Sequence, residues 1–287
     1  MQTNIKGEEM KITFLSDNKT ENALCTAEWG LSVLIESNGN KVLFDVGASS
    51  VFAQNAKNLG VDLSDVEAVA ISHGHYDHTE GMESFCDINK LALIYMHKEA
   101  LSPAFGTASD GHIEDYNCGI RWSKEFIEKI KNRTVFTENV VKINDNMTLV
   151  GNIQPLKEYP MTEKFYRPSP TNEEKYLFDH MEHEQFLVVK EEKGIYIFSG
   201  CSHTGVMAAI KKAQELFPEE KIVSIMAGMH LYPLKADKKQ EIVDSICDLG
   251  IDTIFPVHCT GIDAILMFKQ KLGDKCVIAS AGESYEL

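Results

Sequence analysis

Residues 73 to 78 read His-Gly-His-Tyr-Asp-His, three imidazoles and a carboxylate within six positions, directly after the largely apolar run from Val66 to Ile71. No other stretch limits the chain's possible folds as tightly. An apolar run of this length reads as a buried strand, and the residues at its end send alternate side chains, His73 and His75, toward one point. Asp77 and His78 then serve a second point close by. Imidazole nitrogen and carboxylate oxygen together suit zinc, iron or manganese, so the spacing predicts one or two divalent transition ions, with zinc the first choice, rather than a loop of solvated histidines. Gly74 is read as leaving room for backbone near the ions, and Gly81 as fitting the short turn that follows.

Such a site needs a rigid support, and the composition provides for one. With 287 residues, 44% hydrophobic and 25% charged, the chain can bury a large core in one domain, although its length alone would also permit two. The formal charge of −15 is spread along the sequence, which opposes binding to polyanions and makes nucleic acid an unlikely partner. No stretch approaches the roughly 20 apolar residues of a membrane-spanning helix, and positions 1 to 9 carry no apolar export segment. The expectation is a cytoplasmic protein with a small-molecule substrate and no membrane partner. Seven cysteines, odd in number and irregular in spacing, fit reduced thiols, most of them small core residues.

Strands are read at 11–15, 31–35 and 41–45, an opening meander separated by turn formers such as Ser37-Asn-Gly-Asn40. A helical period covers Ser49 to Leu59, and further elements are a strand at 66–71, a helix from Met82 and a strand at 91–96. Between about 97 and 185 the signals mix. Loop-like 102–117, a helix at 121–131, a β-like stretch at 134–149 and a polar segment at 158–183 suggest an irregular insertion that walls or covers the site. Regular alternation resumes with strands at 186–189 and 194–198, a helix at 206–217, a strand at 222–226 and a helix at 238–248. A strand at 253–255, a helix at 262–271 and a strand at 276–279 complete the chain.

Three further stretches place chemistry at strand ends. Ser199-Gly-Cys201-Ser-His203-Thr-Gly205 offers a thiol that is either a zinc ligand or a buried small residue, and an imidazole beside a glycine-flanked strand end, the better ligand of the two. Gly228-Met-His230 follows another strand. Its imidazole suits a proton donor or substrate anchor, because its ordinary pKa lies near neutrality, or a satisfied structural histidine. Pro256-Val-His258-Cys259-Thr-Gly261 sets a histidine between proline and glycine, with Cys259 expected by alternation to point away and pack. His112, His180 and His183 remain candidates, the last two read as solvated surface.

Taken together, these motifs resemble the metallo-β-lactamase superfamily over most of the chain. Within it they resemble the stand-alone hydrolases whose archaeal relatives are described as dihydropterin-methyl ribofuranosylaminobenzene 5′-phosphate synthases. The resemblance implies an α+β, αββα sandwich of two mixed sheets flanked by helices, spanning 1–287 as one domain, with ions at one edge. It implies that Asp45, in Phe44-Asp-Val-Gly47, holds the histidine loop from beneath, and that Cys201 stands where an ion-bridging aspartate is usual. His258 then closes the second metal position with Asp77 and His78. One expected piece is missing: the stretch 148–155, where the superfamily commonly supplies a third histidine to the first ion, has none, and His203 is the candidate replacement.

The function so implied is a metal-dependent hydrolase using a metal-activated water on a small phosphate- or pterin-like substrate, with Asp77 orienting the nucleophile and His230 assisting. A pterin/arylamine-joining synthase, a lactonase and a non-catalytic metal-holding binding protein are the alternatives.

Overall fold

The computed structural model describes residues 10–108, 110–171 and 174–287; the segment 1–9, read above for export signals, lies outside the described residues. Seven strands form one sheet in the spatial order Ser284–Glu286, Lys11–Ser16, Ser32–Ser37, Asn40–Phe44, Ala68–Ala70, Leu93–His97 and Thr134–Thr137. Six form a second, in the order Thr253–Val257, Ile222–Gly228, Gly194–Ser199, Phe186–Glu191, Met147–Val150 and Val140–Lys142.

Strand alternation explains how the sheets stack. In the first sheet Val42 and Phe44 point into an apolar layer shared with the second sheet, while Leu43 between them points to an outer layer. In the second sheet Tyr196 and Phe198 join the shared layer, and Ile195 and Ile197 face outward. Helices Val51–Leu59, Met82–Ile88 and Lys124–Ile130 cover the outer face of the first sheet through Phe52, Phe85 and Phe126. Helices Val206–Leu216, Ala236–Cys247 and Ile262–Leu272 cover the second through Ile210, Val243 and Phe268. The result is the helix–sheet–sheet–helix sandwich, in which the central strands bury both faces while edge strands such as Val140–Lys142 and Ser284–Glu286 stay largely exposed.

The parallel pairs position the chemistry. Asn40–Phe44, Ala68–Ala70 and Leu93–His97 run parallel in the first sheet, and Gly194–Ser199, Ile222–Gly228 and Thr253–Val257 in the second. Their C-terminal ends carry Asp45, His73, Cys201, His230 and His258 to one edge of the sandwich.

Two readings of the sequence are corrected here. The stretches 102–117 and 158–183 are not irregular throughout: Phe105–Thr107, Ile113–Asn117, Phe165–Pro168 and Tyr176–Asp179 build a third, four-stranded sheet. Its strands are short and mostly half-exposed, so they lack the run of apolar alternation that betrays a core strand. The strand read at 276–279 reduces to one bridge between Ile254 and Cys276, and the last strand lies further on, at Ser284–Glu286 beside Lys11–Ser16.

The two glycines singled out in the sequence stand where backbone crowds, Gly81 within a short turn. Any Cβ at Gly74 would lie 2.3 Å from the Ala100 carbonyl oxygen, and one at Gly81 would lie 1.9 Å from that of Val46. Both glycines admit neighbouring backbone, and neither adopts the left-handed conformation.

Candidate metal centre

Short connections at the sheet edge gather nine buried His, Cys and Asp side chains, His230 and Cys259 among them. His203 Nε2 lies 3.3 Å from His73 Nε2 and 3.1 Å from His75 Nδ1, so the imidazole supplied by the later motif meets both histidines of the first. Beside this trio, His78 Nε2 lies 3.2 Å from Cys201 Sγ and 3.9 Å from Asp77 Oδ2, and His258 Nε2 lies 3.3 Å from Asp77 Oδ2. One set, His73, His75 and His203, and another, Asp77, His78, Cys201 and His258, each bring their ligand-type atoms within 4.8 Å of one another.

Backbone conformation aims several of these groups. Asp45, Ser202, His230 and His258 have φ of 58°, 52°, 47° and 49°, left-handed values uncommon for residues with a Cβ. Four of the seven non-glycine residues so placed among the described residues border one site, the clustering expected where strain is held by surrounding packing.

Asp45 lies beneath the histidines. Its Oδ2 is 2.7 Å from His78 Nδ1 and accepts from Ser72 Oγ at 2.6 Å, and its Oδ1 accepts from the Ser72 amide at 2.7 Å. That partner fixes the His78 ring and leaves Nε2 facing the cluster.

Burial dominates the electrostatics. It pushes His73 and His203 well below the ordinary imidazole value, reinforced by neighbouring imidazoles, and brings His75 to about 3 despite the opposing charge of Asp77. His230 falls to about 3 for the same first reason, followed by His258. His258 goes the other way: burial alone would lower it, but its contact with Asp77 raises it to about 9. Asp77 is held far below the carboxylate range, since the imidazoles of His78 and His258 outweigh its own burial. Burial, then Cys259, raises the Cys201 thiol. Neutral imidazoles keep a lone pair for a metal, and His75 Nε2 is buried with no hydrogen-bond partner. His258 Nε2 is buried near Asp77 without the alignment of a hydrogen bond. Leaving such atoms unsatisfied costs about 1–3 kcal/mol each, so these donors fit a divalent transition ion.

Above the cluster lies a cavity of about 130 Å³ lined by Trp29, Tyr232, Phe165, Glu114 and Glu163 among others. A larger depression of about 430 Å³ around Ser37 to Lys41 holds no such ligand cluster.

The chain is similar to known proteins in sequence and fold. The metallo-beta-lactamase superfamily profile matches residues 29–116, which contain the first histidine motif. A solved structure described as a metal-dependent hydrolase of the beta-lactamase superfamily is 32% identical, with a TM-score of 0.79, across 97% of this chain and 99% of its own. The chain belongs to the metallo-β-lactamase superfamily. A curated relative from Methanocaldococcus jannaschii, a 7,8-dihydropterin-6-methyl-4-(beta-D-ribofuranosyl)-aminobenzene-5′-phosphate synthase, is 28% identical over 97% of each chain. The metallo-beta-lactamase fold protein YhfI from Bacillus subtilis, 14% identical with a TM-score of 0.59, shares the fold.

Two placements, those of His183 and Cys259, differ from the sequence reading, whereas His180 is exposed as read. His183 is buried rather than solvated: its ring stacks on His73 at 6.4 Å, its Nδ1 accepts from the Gly74 amide at 3.2 Å, and its Nε2 lies 3.5 Å from Asp179. His180 and His112 are exposed. Cys259 does not point away. The chain leaves its strand at Val257 and enters a tight 3₁₀ turn, His258–Thr260, so strand alternation no longer applies, and its sulfur lies within 4.8 Å of ligand atoms of Cys201 and His230.

Two carboxylates escaped the sequence reading altogether. Glu184, fully buried, accepts from the amides of His203 and Thr204 at 2.5 and 2.8 Å and from Thr204 Oγ1 at 2.6 Å, which fastens the loop that delivers His203. Glu163 Oε2 lies 3.2 Å from His230 Nδ1 at the cavity wall. No motif marks either one; a glutamate just before a buried strand was the available signal for the first. Among the described residues, no helix is long and apolar enough to cross a membrane.

Proposed function

We propose that this superfamily member is a metal-dependent hydrolase of a small phosphate- or pterin-like substrate. One observation carries the reading: two buried ligand sets, one all-imidazole and one mixed, lie side by side at the floor of a small cavity. His73, His75 and His203 would hold one ion, and Asp77, His78, Cys201 and His258 a second, with zinc best suited to the mixture of nitrogen, sulfur and oxygen. Bound there, such ions supply an acidified water and polarise a carbonyl or phosphoryl oxygen.

The chain's own side chains do the rest. Asp77, ionised across the neutral range, orients the nucleophile. His230, with Glu163 beside its Nδ1, holds or passes a proton at the cavity wall. The segment 97–185, carrying Glu114, Glu163 and Phe165, walls the cavity. No lysine or arginine lines it among the described residues, so no lining side chain offers a substrate phosphate a permanent positive charge.

The test is a panel of phosphomonoesters, phosphodiesters, lactones and thioesters, with an arylamine and dihydropterin diphosphate pair, given to zinc-, manganese- and iron-loaded protein whose metal content has been measured. Metal-dependent cleavage of a phosphate ester supports the reading. Joining of the pair without hydrolysis replaces it with a synthase, the second reading favoured by the 28% identical relative. Turnover of lactones alone makes the protein a lactonase, and a filled site with no turnover makes it a binding protein.

A further inference from the structure

Three neighbouring parallel strands end within one residue of register at the site, with Ser199 paired to Ala227 and Gly228 to Val257. Two residues beyond each strand end stands a ligand-type side chain: Cys201 after Ser199, His230 after Gly228 and Cys259 after Val257. Parallel neighbours that end together and turn alike deliver these groups to one place. All three are buried, and their ligand-type atoms lie within 4.8 Å of one another.

The Cys259 sulfur sits against the backbone of the converging loops. The His230 amide points at Cys259 Sγ from 3.4 Å, and Cys259 Sγ lies 3.7 Å from the Cys201 carbonyl oxygen. A Cβ at Gly228 would come within 2.9 Å of Cys259 Sγ and 2.4 Å of the Gly200 carbonyl oxygen, so only glycine lets the three loops close to this distance. The His230 ring is fixed independently, by a left-handed backbone and by Glu163 beside its Nδ1, which is otherwise buried without a hydrogen bond.

We propose that Cys201, His230 and Cys259 form a third, thiolate-rich metal position beside the two ligand sets described above, with Cys201 as the shared corner. Two sulfurs and one imidazole select a soft or borderline ion such as zinc, cadmium or cuprous copper over magnesium or manganese. Binding converts both thiols to thiolates, and their two protons leave to solvent. The inference does not rest on the reaction proposed above, and with this position filled His230 is a ligand rather than a proton carrier.

A single equivalent of Cd(II) added to the metal-free wild-type protein tests it by X-ray absorption. The expected first shell contains two sulfurs together with nitrogen; one sulfur or none overturns the proposal. Ultraviolet titration supplies the second reading. Cys259→Ser is expected to lose about half of the sulfur-to-cadmium charge-transfer band and one bound equivalent, and an unchanged band and stoichiometry would likewise overturn the proposal. His75→Ala separates the two ideas, because it removes an ion from the imidazole trio yet leaves the two-sulfur signature in place. Because the absorption arm uses the wild-type chain, a folding defect in a variant cannot decide the question.

Discussion

A single buried carboxylate, Asp45, ties the first sheet to the histidine motif, since it accepts from Ser72 twice and pairs with His78 Nδ1 at 2.7 Å. Replacing it with asparagine puts an amide donor where only acceptors fit, so the His78 ring loses its fixed tautomer. Asp45→Asn is expected to weaken zinc binding by about 10- to 100-fold with the fold retained, measured by competition against a chromophoric chelator; unchanged affinity would remove Asp45 from the support of the site. Direct loss of ligands is more severe. His75→Ala and His258→Ala are each expected to lower bound metal and abolish activity, read by elemental analysis, and full metal content in either variant contradicts the ligand sets. Residues of this kind were legible because they crowd into short motifs at strand ends. His183, Glu184 and Glu163 were not, because each reaches the site through a partner far away in the chain, such as Gly74, His203 or His230. Cys259 was misread because period-two alternation was carried past the end of the strand.

At the level of elements, the two large sheets were readable because their central strands are buried on both faces, as in Gly194–Ser199. The small third sheet was not, since burial there is shared unevenly: Phe165 is 6% exposed and packs on His75 and His203 with ring centres 4.5 and 4.8 Å away, while its strand neighbours are half-buried or exposed. Contacts between elements also explain what a turn reading missed. Gly81 opens the helix Met82–Ile88 with an ordinary right-handed backbone, and its lack of a side chain serves the carbonyl of Val46 and the ring of Phe52, 2.6 Å from any Cβ. Gly81→Ala must therefore push the helix off the first sheet. The expected destabilisation is ~1–3 kcal/mol, the usual range for overpacking, read as a lower urea midpoint at unchanged slope. A midpoint equal to wild type would mean that the helix shifts at no cost.

For the molecule as a whole, burying so many imidazoles ties stability to pH, and the sign follows from which state binds the proton. His75 and His230 titrate near 6.5 when unfolded and at about 3 when folded, so between those values only the unfolded chain is protonated and stability falls as pH falls. Both groups act in the same direction, so acid destabilises the metal-free fold. His258 acts in reverse. Raised to about 9 by Asp77, its contribution is complete below 6.5 and is lost as pH climbs toward 9. The metal-free protein is thus expected to be most stable near pH 6.5, with losses on both sides, in thermal unfolding followed from pH 4 to 10 with chelator present. Zinc should change the shape as well as the height of that curve. Ligation requires His258 neutral, so the alkaline loss disappears in the loaded protein, and saturation at 100 times Kd adds about 2.7 kcal/mol by mass action. A metal-free curve that keeps rising through pH 9 would show that the His258–Asp77 pair does not form, and with it the second ligand set would lose its geometry.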